Sequence, residues 1–362
     1  MKTDSIVPRT GWTGLISLAI VIAAVIGFAS SRSSSPPAPP HDTLAAWAAA
    51  RPFQIPRRGL AAATSGHRLY VLGGVDAAGN YVREVEWATI DADGTLSSWQ
   101  TTTPLPAGRI YAAAVATSHH IYLLGGARGE LGDRNFPIAE VIAAPIHPDG
   151  QLGNWQTMPP LTTPRRGLTA LHHHGVLYAL GGYNGQFLRT TERSLIGADG
   201  RPGPWQEEAE QSQQDRYIHS AATANGFVYL IAGHLEHGGT LSDADTETAR
   251  ILPDGQLSPW RLLRNRLHNP RFLAAAASLD GHLIIAGGHD GRRRLNTVEM
   301  AALRANGNLA PWQPAPPLRQ ARSALALVTW NEYIYALGGA GRQGALRSVE
   351  RSHLTHDSPE KP

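Results

Sequence analysis

The chain contains no cysteine. This excludes disulfide staples, an acylated lipoprotein-type cysteine and a thiol nucleophile, and it leaves the redox compartment unmarked. A long stretch of helical periodicity is also missing. With 38 Gly and 26 Pro in 362 residues, the composition favours many short strands joined by turns, an all-β chain in which a large β domain or repeat array absorbs the length. No sign of charge dominates, because 32 Lys+Arg face 29 Asp+Glu for a formal net charge of +3. Bulk attraction to nucleic acid is therefore not expected.

One segment departs from the rest. From Trp12 to Ala29 the sequence "WTGLISLAIVIAAVIGFA" has no charged residue and lies between Arg9 and Arg32. Eighteen residues at about 1.5 Å each reach roughly 27 Å, close to the hydrocarbon thickness of a bilayer. Lys2 and Arg9 precede the run, and the positive-inside bias puts residues 1–11 in the cytoplasm as a short tail and the bulk of the chain outside. The reading is a single-pass membrane protein with 12–29 as a transmembrane helix or signal anchor. The alternative is a cleaved signal peptide and a secreted product. Residues 30–43, "SSRSSSPPAPPHDT", make a Ser/Pro linker with no means of burying a core.

The remaining sequence is periodic. Glycine pairs at 73–74, 125–126, 181–182, 287–288 and 338–339, with Gly233-His234 filling the gap, place successive first glycines 52, 56, 52, 54 and 51 residues apart. A second landmark keeps the same period, an Asp/Asn-Gly turn followed by tryptophan: "DGTLSSW", "DGQLGNW", "DGRPGPW", "DGQLSPW" and "NGNLAPW". Within each unit an arginine precedes a small apolar strand, a tight turn, an aliphatic-aromatic strand such as "LYVLGG", a variable loop, a strand carrying Glu, and the Trp strand. That order predicts four strands per unit.

An apolar run ending in a glycine pair, then Glu, then Trp, at about 50 residues, resembles the kelch repeat of β-propeller proteins, and the resemblance covers residues 44 to about 357. It implies an all-β, six-bladed propeller over 44–357, followed by a tail at 358–362. The tyrosines at 70, 122, 178, 229 and 335 and the Trp series then fill space between sheets. The last unit stops before any Trp strand, while "LAAW" at 44–47 matches "LSSW" at 96–99. The N-terminal strand is therefore expected to complete the last blade and leave no long free edge.

In this register "LHHHGVLY" is the turn between the first and second strands of the third unit, and its histidines do not recur in the other units. His172, His173 and His174 read as a polar hairpin tip, and no metal or other cofactor is expected. The glycine pairs end strands without a following helix or Lys-Ser/Thr, so they are not phosphate cradles. Arg58, Arg109, Arg166, Arg216, Arg271 and Arg322 fall 15 to 17 residues before the first glycine. They are expected to ring one mouth of the central channel, either facing a ligand or paired with the equally regular Glu86, Glu140, Glu192, Glu247, Glu299 and Glu350. Tyr111, Tyr217 and His219 lie just past the arginines, and Tyr183 and His289 lie in loops opening on the same face. All five are candidate ligand contacts.

These residues suggest a membrane-anchored binding or interaction module with an arginine-rich face for an anionic ligand, a glycan or a protein partner. A carbohydrate-acting enzyme of the sialic-acid epimerase type, implied by architecture alone, and a structural subunit of a membrane complex are the alternatives. Copper chemistry of the galactose-oxidase kind needs a cysteine and is excluded.

Overall fold

The computed structural model describes residues 42–132, 134–235 and 242–355. The apolar run 12–29, most of the linker and the C-terminal tail lie outside them. Among the described residues no helix is long and apolar enough to cross a membrane.

The described chain is all β, a propeller of blade-like sheets. In the first unit Ala61–Ser65, Arg68–Leu72, Val85–Thr89 and Gln100–Thr102 pair antiparallel in sequence order. The same meander recurs down the chain. In the third and fourth units it is fused, because Arg216–Tyr217 pairs on one side with Leu188 and on the other with His234 and Leu235, giving one nine-stranded sheet. In the last unit Val349–Thr355 is flanked by Thr43–Leu44 and Ala48–Ala50. The outermost strand of this sheet thus comes from the other end of the chain.

Periodicity explains the stacking. The second strand of each unit is sandwiched between neighbouring sheets, so both its faces are apolar, and Leu69, Tyr70, Val71 and Leu72 are fully buried. The two sequence landmarks bond to each other across sheets. The Tyr70 hydroxyl donates to Gly150 O, Tyr122 to Gly200 O, Tyr178 to Gly255 O and Tyr335 to Gly94 O, at 2.7–2.9 Å, each acceptor being a turn glycine of the adjoining unit. The tryptophans act similarly: Trp99 Nε1 donates to Arg51 O and Trp47 Nε1 to Pro316 O. One core cluster joins Leu69, Val71 and Ala88 of the first unit to Tyr335, Leu337 and Val349 of the last.

Around the axis runs a circuit of backbone bonds. Tyr111 donates its N–H to Gly59 O, Gly167 to Tyr111 O, Ile218 to Gly167 O, Leu273 to Ile218 O, Ala324 to Leu273 O, and Gly59 to Ala324 O, at 2.7–3.1 Å. All six residues have φ between 47° and 61°. Only two are glycine, so the other four hold a left-handed conformation that costs roughly 1–2 kcal/mol each. Ile218 is the most strained, since a β-branched side chain rarely enters this region.

The structure corrects one register. In the fourth unit Ala232-Gly233, with φ of 58° and 109°, stands where the other units have their glycine pair, not Gly233-His234. Alanine tolerates the first position at a strain cost, and glycine is kept at the second.

Candidate functional site

The arginine pattern resolves into two different positions. Arg57, Arg109, Arg165, Arg216, Arg271 and Arg322 are equivalent: each donates through Nη1 to a carbonyl 16 residues ahead, at Gly73, Gly125, Gly181, Ala232, Gly287 and Gly338. All six are buried and salt-bridged to the regular glutamates. Arg271 Nη2 lies 2.5 Å from Glu299 Oε1, and Arg322 Nη2 the same distance from Glu350 Oε1. Most of these carboxylates also accept backbone N–H groups, as Glu299 does from His268 and Asn269. Arg216 engages Asp243 as well.

Arg109, Arg216, Arg271 and Arg322 are therefore internal ties between the connector, the glycine pair and the third strand, not a ring of ligand-facing charges. Burial pulls the guanidinium pKa down at Arg57, Arg165, Arg271 and Arg322, and to about 10 at Arg109, with the glutamate partner opposing it each time.

Arg58 and Arg166 stand one residue later, at a position that faces the mouth. Here each connector makes a reciprocal backbone pair with the loop after the glycine pair: Arg58 with Val75, Ile110 with Ala127, Arg166 with Tyr183, Phe272 with His289 and Ser323 with Ala340, and in the fused sheet Tyr217 with His234. Cross-strand partners project to the same side, so these pairs decide the chemistry of the mouth. In the fourth and fifth units both partners carry rings, and in the third Tyr183 pairs with Arg166. Tyr183, Phe187, Tyr217, His234, Phe272 and His289 form a continuous arc with ring centroids 4.9–5.8 Å apart, each ring half-buried.

Arg166 lies over this arc, its guanidinium carbon 4.8 Å from the Tyr183 centroid and 5.7 Å from that of Tyr217, while Nη1 donates to Asn135 O. Among the described residues neither Arg58 nor Arg166 is salt-bridged to a carboxylate. Both influence Tyr111: burial pushes its hydroxyl pKa up, and the two guanidiniums oppose this. Burial likewise pushes Tyr217 up to about 12. Three buried polar atoms nearby have no hydrogen-bond partner, Tyr81 Oη, Asn135 Oδ1 and Arg166 Nε.

Of the expected contacts, the structure brings Arg58, Tyr111, Arg166, Tyr183, Tyr217 and His289 to this mouth. His219 is instead buried between the third and fourth units, with Thr169 Oγ1 2.9 Å from Nε2, and burial pulls its pKa down to about 3. It stays neutral at pH 7. Phe187, His234 and Phe272 complete the arc beside the expected contacts at the mouth. The three-histidine stretch ends a strand and forms its turn, and no cluster of metal-ligating side chains occurs among the described residues.

Gly167 keeps the arc in place. A Cβ there would meet Tyr217 Cε2 at 2.4 Å, and φ is 61°. Gly167→Ala should cost about 2 kcal/mol or more through conformational strain and overpacking. Urea unfolding checks this, and a change below about 0.5 kcal/mol would mean that Tyr217 moves aside freely.

Kelch-motif similarity was found at residues 56–87 and 270–300. Beta-scruin of Limulus polyphemus is 28% identical over 152 residues, covering 41% of this chain and 16% of that protein. Kelch-like protein 33 of Homo sapiens is 42% identical over 81 residues, covering 22% and 15%. The chain thus spans about a sixth of the length of these curated relatives. A solved structure titled "Structure of YjhT" superposes with a TM-score of 0.64 at 16% identity, over 85% of this chain and 99% of that one, a likeness of fold.

Proposed function

Because the chain is a kelch-repeat β-propeller protein, we propose that it is a protein-interaction module. In this reading six blades close into a ring through the N-terminal strands, and the mouth of Arg58, Arg166 and the aromatic arc receives an acidic segment of a partner. The closed backbone circuit at six equivalent residues supports the count. The observation that carries the function is Arg166, free of a carboxylate partner and lying over two half-buried rings, with the likewise carboxylate-free Arg58 at the equivalent connector position. Such cations favour anionic groups in charge-assisted contact, and the rings supply apolar cover at low entropic cost. The apolar run 12–29 supports anchoring in a membrane with the propeller on the extracytoplasmic side.

An array of acidic peptides read by tryptophan and tyrosine fluorescence provides the test. Arg58→Ala with Arg166→Ala should weaken the best binder by about 10- to 100-fold, since a hydrogen bond to a charged group contributes about 1.5–3 kcal/mol, while the melting temperature stays close to that of the parent. Unchanged affinity in the double variant would sink the assignment. A binder found only in a parallel glycan array would replace the peptide reading with a carbohydrate one.

A further inference from the structure

Six histidines gather at the end of the propeller away from the mouth, on two neighbouring units. His119 and His120 lie between Ala113–Ala116 and Leu124, His147 lies in the turn after Val141–Pro145, and His172, His173 and His174 lie between Thr169 and Val176. They share one surface: His120 packs on the Gly200 turn, and the rings of His173 and His174 are 4.2 Å apart. His119, His147 and His174 are exposed.

The charged groups facing them come from the adjoining turns. Asp199, Asp254 and Asp149, which lies in the turn that carries His147, are the carboxylates, and Arg68, Arg201 and Arg250 the guanidiniums. With three of each sign, the corner carries no net charge while the imidazoles are neutral. Every proton taken up adds one positive charge.

We propose that this histidine corner is an acid-dependent docking surface for an anionic lipid bilayer. Charge complementarity selects an anionic occupant only after protonation, because an unperturbed imidazole titrates near pH 6.5. Chain direction selects the bilayer. Thr43 pairs with Thr355 at the far end of Val349–Thr355, the end that carries these turns, so the chain enters the sheet at this end. The sequence preceding Thr43 includes the apolar run 12–29, and the choice of lipid rests on reading that run as a membrane segment. Burial and neighbouring histidines hold the pKa of His120, His172 and His173 down, so binding should keep rising below the usual imidazole range.

The unit from Pro40 to Pro362 is compact by itself, and its core clusters use no residue before Leu44, so it can be tested without the apolar run. Sedimentation with vesicles containing about 30% phosphatidylserine should show affinity rising about 100-fold between pH 7.4 and pH 5, since each basic charge at an anionic surface contributes about 1 kcal/mol, close to fivefold. About 0.5 M salt should reverse the gain. A variant with glutamine at positions 119, 120, 172, 173 and 174 should lose most of it at an unchanged melting temperature. Equal binding to neutral phosphatidylcholine vesicles, equal binding at both pH values, or an undiminished acid gain in the variant would each overturn the proposal. Because the tested unit lacks residues 12–29, none of these results depends on whether that run spans a membrane, which protease protection of the full chain measures separately.

Discussion

Replacing Glu299 by alanine should destabilise the fold by about 3–5 kcal/mol, although Glu299 touches nothing in the mouth. Its carboxylate holds the fully buried Arg271 at 2.5 Å and accepts the backbone N–H groups of His268 and Asn269. Alanine would strand a guanidinium that has no route to water, and breaking a buried pair from one side has that cost because the remaining charge is uncompensated. Arg271→Ala should cost a similar amount for the mirror reason, and it also releases the carbonyls of Gly287 and Thr297. Replacing both partners together by methionine should recover much of the loss, since paired burial of charge is itself expensive. Guanidinium or urea unfolding of the three variants decides the matter. If Glu299→Ala unfolds within about 1 kcal/mol of the parent, the pair is not a structural tie and the six arginines regain a claim to ligand binding.

The distinction between these ties and the mouth arginines was nearly visible in the sequence. Counting back 16 residues from the first residue of each glycine pair, with Ala232 in the fourth unit, picks out Arg57, Arg109, Arg165, Arg216, Arg271 and Arg322 without exception. The doublets at 57–58 and 165–166 allowed a slip of one residue, and a slip of one in an extended segment turns a side chain to the opposite face. Units four to six offered no such ambiguity, since Arg216, Arg271 and Arg322 have no arginine neighbour on the C-terminal side. The strand order, the turn chemistry and the role of the tyrosines were legible because a repeated sequence imposes a repeated local environment. The aromatic arc was not, because it is the part that breaks the repeat. Its six rings come from the connector position and from loops of three units, and only the reciprocal backbone pairs bring Tyr183 to Arg166 and His289 to Phe272. Local propensity carries no information about such partners. The left-handed ring residues were hidden for a related reason: Tyr111, Ile218 and Leu273 have side chains that disfavour positive φ, and the closed circuit of hydrogen bonds overrides that preference.

Removing residues 42–50 should be the most damaging change available at the surface of this molecule. The segment contributes Thr43–Leu44 and Ala48–Ala50 to the sheet containing Val349–Thr355, and it buries Leu44 and Trp47, which are 1% and 4% exposed. Truncating a buried leucine costs about 2–5 kcal/mol and a buried tryptophan about 3–5 kcal/mol. The two together approach the total stability of about 5–15 kcal/mol typical of a folded domain. The loss is also topological, because Val349–Thr355 becomes an unpaired edge that invites association with other chains. A chain beginning at Pro52 should accordingly melt far below one beginning at Asp42, or fail to fold and aggregate. Trp47→Ala in the full chain separates packing from pairing: it keeps the strands, loses the bond from Nε1 to Pro316 O, and should cost about 3–5 kcal/mol by itself. A synthetic peptide spanning 40–51, added to the shortened chain, should restore part of the lost stability by mass action, with a melting temperature that rises with peptide concentration. If the chains starting at 42 and at 52 melt at the same temperature, and the peptide changes nothing, then the last sheet is sound without its N-terminal strands and the ring is not held shut by them.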